Sequence, residues 1–307
     1  YSPGKGWLIH LPAGFAEHTV YPLADFEVSL TVLNPPENLV VTGSTTPILQ
    51  DQSYHFSHPS ARNLFISLSP YFQVLEQIDP DVTVRSYFFP GHQPAASKVL
   101  NSAYQALITY GKIISPYRHP VLNIVETNLV DGLEGDGMFF LGSSFYDNLA
   151  TTRGLLTLLT VHETAHQWWY AAVSNDQALE PWLDEAFCTF MESLYYENIS
   201  ISDLEWWEVY RLTNNPSVVA VDSPLYDFSY FRPYRDAVYL RGASFLLDLR
   251  TAMGDEIFFT FLQDYYQRAS QIPYTSAIVF FDTLSNYYKI NQTNLLELYF
   301  LPTKPKN

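Results

Sequence analysis

Apolar and polar residues alternate strictly over 26–32, with Phe26, Val28, Leu30 and Val32 on one side and Glu27, Ser29 and Thr31 on the other. That period of two predicts a strand with one buried face. The run breaks at Asn34-Pro35-Pro36-Glu37-Asn38, and Leu39-Val40-Val41 predicts the start of a second strand. Further strands are predicted over 54–57, 64–68 and 82–89. They are too few to close a sheet alone, and the chain opens at Tyr1 without a cap or leader. A cut-down or processed form is the expectation.

From Pro94 onward the spacing turns helical, interrupted by one more strand over 121–126. Gly132, Gly135, Gly137 and Gly142 punctuate the apolar run 138–141, which predicts a short strand closely approached by another group. After Thr151 the pattern is mainly helical. Leu155, Leu158, Leu159, His162, His166 and Trp169 fall on one face of a predicted helix. Pro181 can open the next one, whose core face is Phe187, Phe190, Met191 and Leu194. Ser202-Asp203-Leu204-Glu205 reads as a capping box ahead of Trp206 and Trp207. Pro216 and the aromatic stretch 226–234 predict a long loop, and 235–253 a helix ended by Gly254.

Composition narrows the possibilities. Sixteen Lys and Arg against 32 Asp and Glu give a net charge of −16, which argues against nucleic acid and anionic membrane surfaces as partners. Neither a membrane-spanning apolar run nor the basic and apolar regions of a signal peptide occur. The single cysteine, Cys188, excludes an internal disulfide. The compartment stays open, with an extracellular or cell-envelope location favoured over the cytoplasm. Fifty aromatic residues, 23 Tyr, 21 Phe and 6 Trp, predict thick cores and an aromatic-lined cleft.

The chemistry concentrates at His162-Glu163-Thr164-Ala165-His166, an HExxH pattern. On a helix, residues four apart stack one turn above each other, so both imidazoles face one metal and Glu163 stands beside it. The competing reading is a pair of core histidines satisfied by backbone carbonyls. Eighteen residues after His166 comes Glu185, in Pro181-Trp182-Leu183-Asp184-Glu185-Ala186-Phe187, on the second helix. Two imidazoles and one carboxylate leave a fourth position for water, the ligand set of a catalytic zinc site. Glu192 returns to the same helix face as Glu185 and is a candidate to hold a ligand histidine's N–H, or simply a solvated charge.

HExxH, an eighteen-residue spacer and a glutamate in a Trp-Leu-Asp-Glu-Ala context resemble the M1 family of zinc aminopeptidases. Tyr239-Leu240-Arg241-Gly242-Ala243 is similar to that family's Tyr-x-Lys-Gly-Ala, and 131–135 occupies the place of its Gly-x-Met-Glu-Asn. In the latter only Glu134 matches; Asp131, Leu133 and Gly135 replace Gly, Met and Asn. The resemblance implies an α+β fold, with residues 1–69 as the end of an N-terminal β domain and 70–307 as a thermolysin-like catalytic domain. It also implies that most of the β domain and the large C-terminal helical domain are missing.

The site implied is one zinc ion on His162, His166 and Glu185, with Glu163 as general base and Tyr239 stabilising the oxyanion. Glu134 would grip the free α-amine of a peptide substrate. Three alternatives stay open: an endopeptidase with the same zinc chemistry, an epoxide hydrolase on the same scaffold, and a non-enzymatic interaction module. The last is disfavoured by the presence of His162, Glu163, His166, Glu185 and Tyr239 together.

Overall fold

The alternating segment forms β1 (Ala24–Thr31), and its burial alternates residue by residue as the period requires. The computed structural model describes residues 13–128, 131–147, 154–213 and 217–300. By contacts the chain divides into two units: a sheet unit of 21–172 and 194–199, and a helical unit of 1–20, 173–193 and 200–307.

In the sheet unit, β2 (Val40–Gly43), β3 (Ile48–Gln50), β4 (Ser53–Ala61) and β5 (Ile66–Ser69) follow β1. They make two small sheets, β1-β4-β3 and β2-β5, both antiparallel. β6 (Gln73–Ile78), β7 (Thr83–Phe88), β8 (Val121–Thr127), β9 (Gly132–Leu133) and β10 (Met138–Gly142) form a mixed sheet in the order β6-β7-β8-β10-β9. The sequence pattern reveals neither β3, β6 nor β9. β3 and β9 are too short to display a period, and β6 exposes its apolar Val74 and Ile78 at 41% and 71%, as an edge strand can.

β7 and β8 run parallel, so the chain must cross over between them, and α1 (Gln93–Ile113) makes that crossing. Pro94 sits in its first turn, where a missing N–H costs nothing. Its small and apolar face, Ala96, Val99, Ala103, Ala106 and Tyr110, is fully buried. All seven residues of β8 are buried, which is typical of a strand covered on both sides. α1 packs on β7 and on α3 (Leu155–Ala165), the latter preceded by the short α2 (Ser143–Asp147). The Tyr110 hydroxyl donates to the Val161 carbonyl at 3.2 Å, which fixes the helix that bears HExxH.

α4 (Trp182–Ile199) opens one residue after Pro181 and leads into α5 (Ile201–Glu208). The cap of α5 is Ser200, two residues before the predicted capping box: its hydroxyl accepts from Asp203 N at 3.1 Å. The predicted loop over 226–234 is partly helical, with a 3₁₀ turn at Leu225–Asp227 and α6 (Phe231–Arg235); Pro216 lies outside the described residues. The predicted helix over 235–253 is there, but its first part, Asp236–Arg241, is wound as a π-helix before α7 (Gly242–Met253). Gly254, at φ +77°, ends α7. α8 (Asp255–Ala269), α9 (Ala277–Leu284) and α10 (Leu295–Tyr299) complete the helical unit. Its core is aromatic: the Trp182 ring meets Phe280 at 5.2 Å and Phe300 at 5.3 Å between centroids. Among the described residues, no helix is long and apolar enough to cross a membrane.

Candidate active site

α3 brings His162 and Glu163 to its last turn and ends with His166 as its C-cap. The two imidazoles lie one turn apart and meet edge to face, ring centroids 5.0 Å from each other. Both are buried, His162 at 5% and His166 at 2% exposure. His166 Nδ1 lies 3.0 Å from the Trp169 carbonyl. A carbonyl only accepts, so Nδ1 carries the proton and Nε2 keeps its lone pair. The helix is shorter than the predicted apolar stripe. Trp169 lies beyond its end, because Ala171 N closes a bond of 2.9 Å back to the His166 carbonyl and turns the chain away.

Glu134 and Glu163 converge on the same place: ligand atoms of Glu134, Glu163 and His166 lie within 4.8 Å of one another, all three residues buried. β9 passes so near that a Cβ on Gly132 would meet the Glu163 carboxylate and oblige that side chain to shift. The predicted strand over 138–141 is β10, and it is flanked on both sides, by β8 and β9; the edge belongs to β9, directly before Glu134.

The loop after Glu134 is pinned from several directions. Gln167, the residue after His166, donates from Nε2 to the Gly135 carbonyl at 2.8 Å and accepts at Oε1 from Gly137 N at 3.0 Å. Between them the buried Asp136 carboxylate accepts from His119 Nε2 at 2.6 Å, from Arg62 N at 3.0 Å, and from the Arg118 guanidinium. His58 Nε2 lies 3.1 Å from the Asp136 carbonyl. Burial alone would raise the Asp136 pKa, but the His119 hydrogen bond and the Arg118 charge outweigh it and hold the group at about 2. Sequence reasoning missed both Gln167 and Asp136. The signal available was position alone: one follows the second histidine, the other lies two residues past Glu134.

In the helical unit, Glu185 sits in the first turn of α4 at 3% exposure. Tyr239, in the π-helical stretch, is hydrogen-bonded to Glu185. Its hydroxyl is pushed well above the ordinary tyrosine range, first by burial and then by the negative charge of Glu185. It therefore stays protonated as a donor. Single π turns inside helices occur often at functional positions. Glu192 is fully buried and not a solvated charge: its carboxylate joins α4 to α5 and to the segment after it, accepting from Trp207 Nε1 at 2.7 Å and from Arg211 Nε at 2.8 Å.

A buried histidine pair on an α3 end, a glutamate between them and a second glutamate from a sheet edge define a metallohydrolase-like arrangement on an α+β fold. Residues 137–299, more than half of the sequence, match the Peptidase family M1 domain, and the chain belongs to that family. Solved structures agree on the fold. A two-domain M1 zinc metallopeptidase variant bound to L-arginine is 18% identical with a TM-score of 0.67, over 93% of this chain and 67% of that one. Yeast LTA4 hydrolase in complex with bestatin is 20% identical with a TM-score of 0.71, over 94% and 48%. The M1 zinc metallopeptidase of Deinococcus radiodurans is 19% identical with a TM-score of 0.63, over 92% and 65%. The chain thus spans about half the length of the yeast enzyme and about two thirds of the other two.

Zinc is the metal that membership of this family implies. The donors in the sheet unit fit it. Two imidazoles one turn apart suit a borderline-soft cation, and the carbonyl behind His166 gives that ring the outer hydrogen bond typical of a zinc-bound histidine.

Proposed function

We propose that this chain is a zinc-dependent aminopeptidase that hydrolyses the first peptide bond of peptides with a free N-terminus. His162, His166 and Glu185 would hold one zinc ion. The observation that carries the reading is the convergence of Glu134 and Glu163 on His166 within 4.8 Å, next to the His162 ring. A base and an amine anchor are both needed there, and two buried carboxylates beside two histidines provide them.

Zinc, when bound, supplies Lewis acidity that polarises the scissile carbonyl and makes water acidic enough to ionise near neutral pH. The chain's own groups do the rest. Glu163 takes the proton of the attacking water and passes it to the leaving amine. The Tyr239 hydroxyl, kept protonated by burial and by Glu185, donates to the oxyanion as it develops. Glu134 pairs with the substrate ammonium, since a buried charge without an opposite one costs several kcal/mol. The open edge of β9 precedes Glu134 directly, so an extended substrate could add to the sheet while its amine reaches the carboxylate.

The test is a panel of aminoacyl chromogenic substrates with and without chelator, alongside matched free and N-acetylated peptides. Chelator-sensitive cleavage of free peptides, with slow cleavage of the acetylated forms, is expected. Equal rates on both forms would replace the aminopeptidase by an endopeptidase, and turnover of epoxides alone would replace it by an epoxide hydrolase.

A further inference from the structure

Tyr170 has a backbone that an aromatic residue rarely adopts. Among the described non-glycine residues, positive φ occurs at Ala16, Asn34, Asp51, Gln52 and Ser60, with values from 49° to 62°, and at Tyr170, with 148°. The first five sit near the left-handed helical region. Tyr170 lies far from it, in backbone space that favours glycine. A glycine would relieve the strain.

That side chain is buried at 5% exposure, four residues after His166, whose ring it meets edge-on at 6.4 Å between centroids. Its hydroxyl accepts from Asn63 Nδ2 at 2.8 Å. Asn63 is itself fixed, because its Oδ1 accepts from Asp136 N at 3.0 Å. Among the described residues Asn63 is the hydroxyl's hydrogen-bond partner, which leaves one lone pair and the O–H proton for other groups. The same His166 has its ligand atom within 4.8 Å of the Glu134 carboxylate, so the phenol, a neutral side chain, lies against the group that Glu134 approaches.

The geometry points to the Tyr170 hydroxyl as a substrate-binding group of the amine subsite, accepting one N–H of the substrate's primary ammonium beside Glu134. This rests on the aminopeptidase reading above. The chemistry asks for such a group. A primary ammonium carries three N–H donors, and a buried donor left unmet is costly. A second carboxylate would add charge to a site that already holds Glu134 and Glu163. A phenol adds an acceptor without charge.

Substrates that keep the positive charge but lose one donor isolate this contact. Three matched peptides, with a free, an Nα-methyl and an N-acetyl terminus, are compared on the unmutated protein, Glu134→Ala and Tyr170→Phe, with zinc content and circular dichroism recorded for each. The unmutated protein should favour the primary amine over the Nα-methyl amine. Tyr170→Phe should lower kcat/KM for the free peptide by roughly tenfold, mainly through KM, as expected for a hydrogen bond to a charged group. It should also bring the free to Nα-methyl ratio toward one while the free peptide remains far better than the acetylated one. Should that variant fold poorly, Asn63→Leu, which releases the hydroxyl without touching the Tyr170 backbone, must reduce the same ratio. An unchanged ratio and KM in the folded variant would overturn the inference and leave the aminopeptidase reading standing. Equal cleavage of free and acetylated peptides by the unmutated protein, or no cleavage of either, would overturn both.

Discussion

Two aspartates, each with no exposed surface, are treated in opposite ways by the two units. In the sheet unit Asp136 is compensated: despite its burial, His119 and Arg118 hold its pKa at about 2. In the helical unit Asp184 is pushed well above the carboxylate range, first by burial and then by the charge of Glu185 beside it. Gln177 and the Glu185 N–H, the latter at 2.7 Å, oppose this only in part. The difference separates two uses of a buried acid. Where a carboxylate holds a loop, the chain folds its own cations around it. Where carboxylates crowd together, as Glu185 and Glu17 do both near Asp184 and near Tyr239, the local field favours a positive charge brought from outside.

The sharpest way to test that division is to remove a charge expected to act on a proton rather than on the fold. Glu163→Gln should retain zinc and native structure while losing roughly 10³-fold or more in kcat, because an amide cannot accept the proton. Zinc content by atomic spectroscopy and turnover on the best-cleaved peptide decide it. Substantial activity in the zinc-loaded variant would remove Glu163 from the mechanism.

Asp136→Ala should do the reverse and act first on stability. Deleting one partner of a buried, hydrogen-bonded ion cluster costs about 3 kcal/mol or more, measurable as a lower denaturant midpoint. Tyr239→Phe belongs on the chemical side again. Loss of one oxyanion donor is expected to lower kcat by about 10²-fold with little change in KM. A change confined to KM would make Tyr239 a binding residue.

Acid should weaken the compensated aspartate selectively. Asp136 titrates at about 2 in the fold against 3.8 in its unperturbed state. The folded group binds its proton less readily, so its contribution is complete above pH 3.8 and fades as pH falls toward 2. The shift corresponds to about 2 kcal/mol. Urea titrations through that interval, with and without Asp136→Ala, should show a pH-dependent loss that the variant lacks.

Local patterns are more legible in the sequence than the long-range contacts that support them. HExxH and the eighteen-residue spacing to Glu185 are local patterns on helices, and a helix displays its face at a fixed period. The alternation in β1 and the apolar run of β10 were legible for the same reason. The Asp136 cluster was not. Its partners His58, Arg62, Arg118 and His119 come from 17 to 78 residues away, and no local pattern encodes a contact of that kind. The π-helical winding around Tyr239 was hidden too, since one extra residue per turn barely alters the hydrophobic spacing. Nor does sequence disclose the φ of Tyr170, where residue type alone argues for an ordinary backbone.

A third carboxylate sets the lower end of the comparison and tests a misplaced boundary. Asp203 is only partly buried. It stands in the first turn of α5, where its Oδ2 accepts from the Ser200 hydroxyl at 2.6 Å while its own N–H donates to that hydroxyl at 3.1 Å. Ser200 thus meets one of the helix's unpaired donors, and the negative side chain lies where the helix dipole favours it. The sequence motif had put the cap at Ser202, but the extended backbone belongs to Ser200, at φ −166° and ψ 155°. Helix caps require that conformation at the residue whose oxygen turns back. Ser200→Ala should therefore cost about 1 kcal/mol. Ser202→Ala, at an exposed position one residue inside the helix, should be neutral or slightly stabilising, because alanine has the higher helix propensity. Denaturant titrations of the two variants in parallel decide between the boundaries. A larger loss at Ser202 would return the cap to where the sequence placed it.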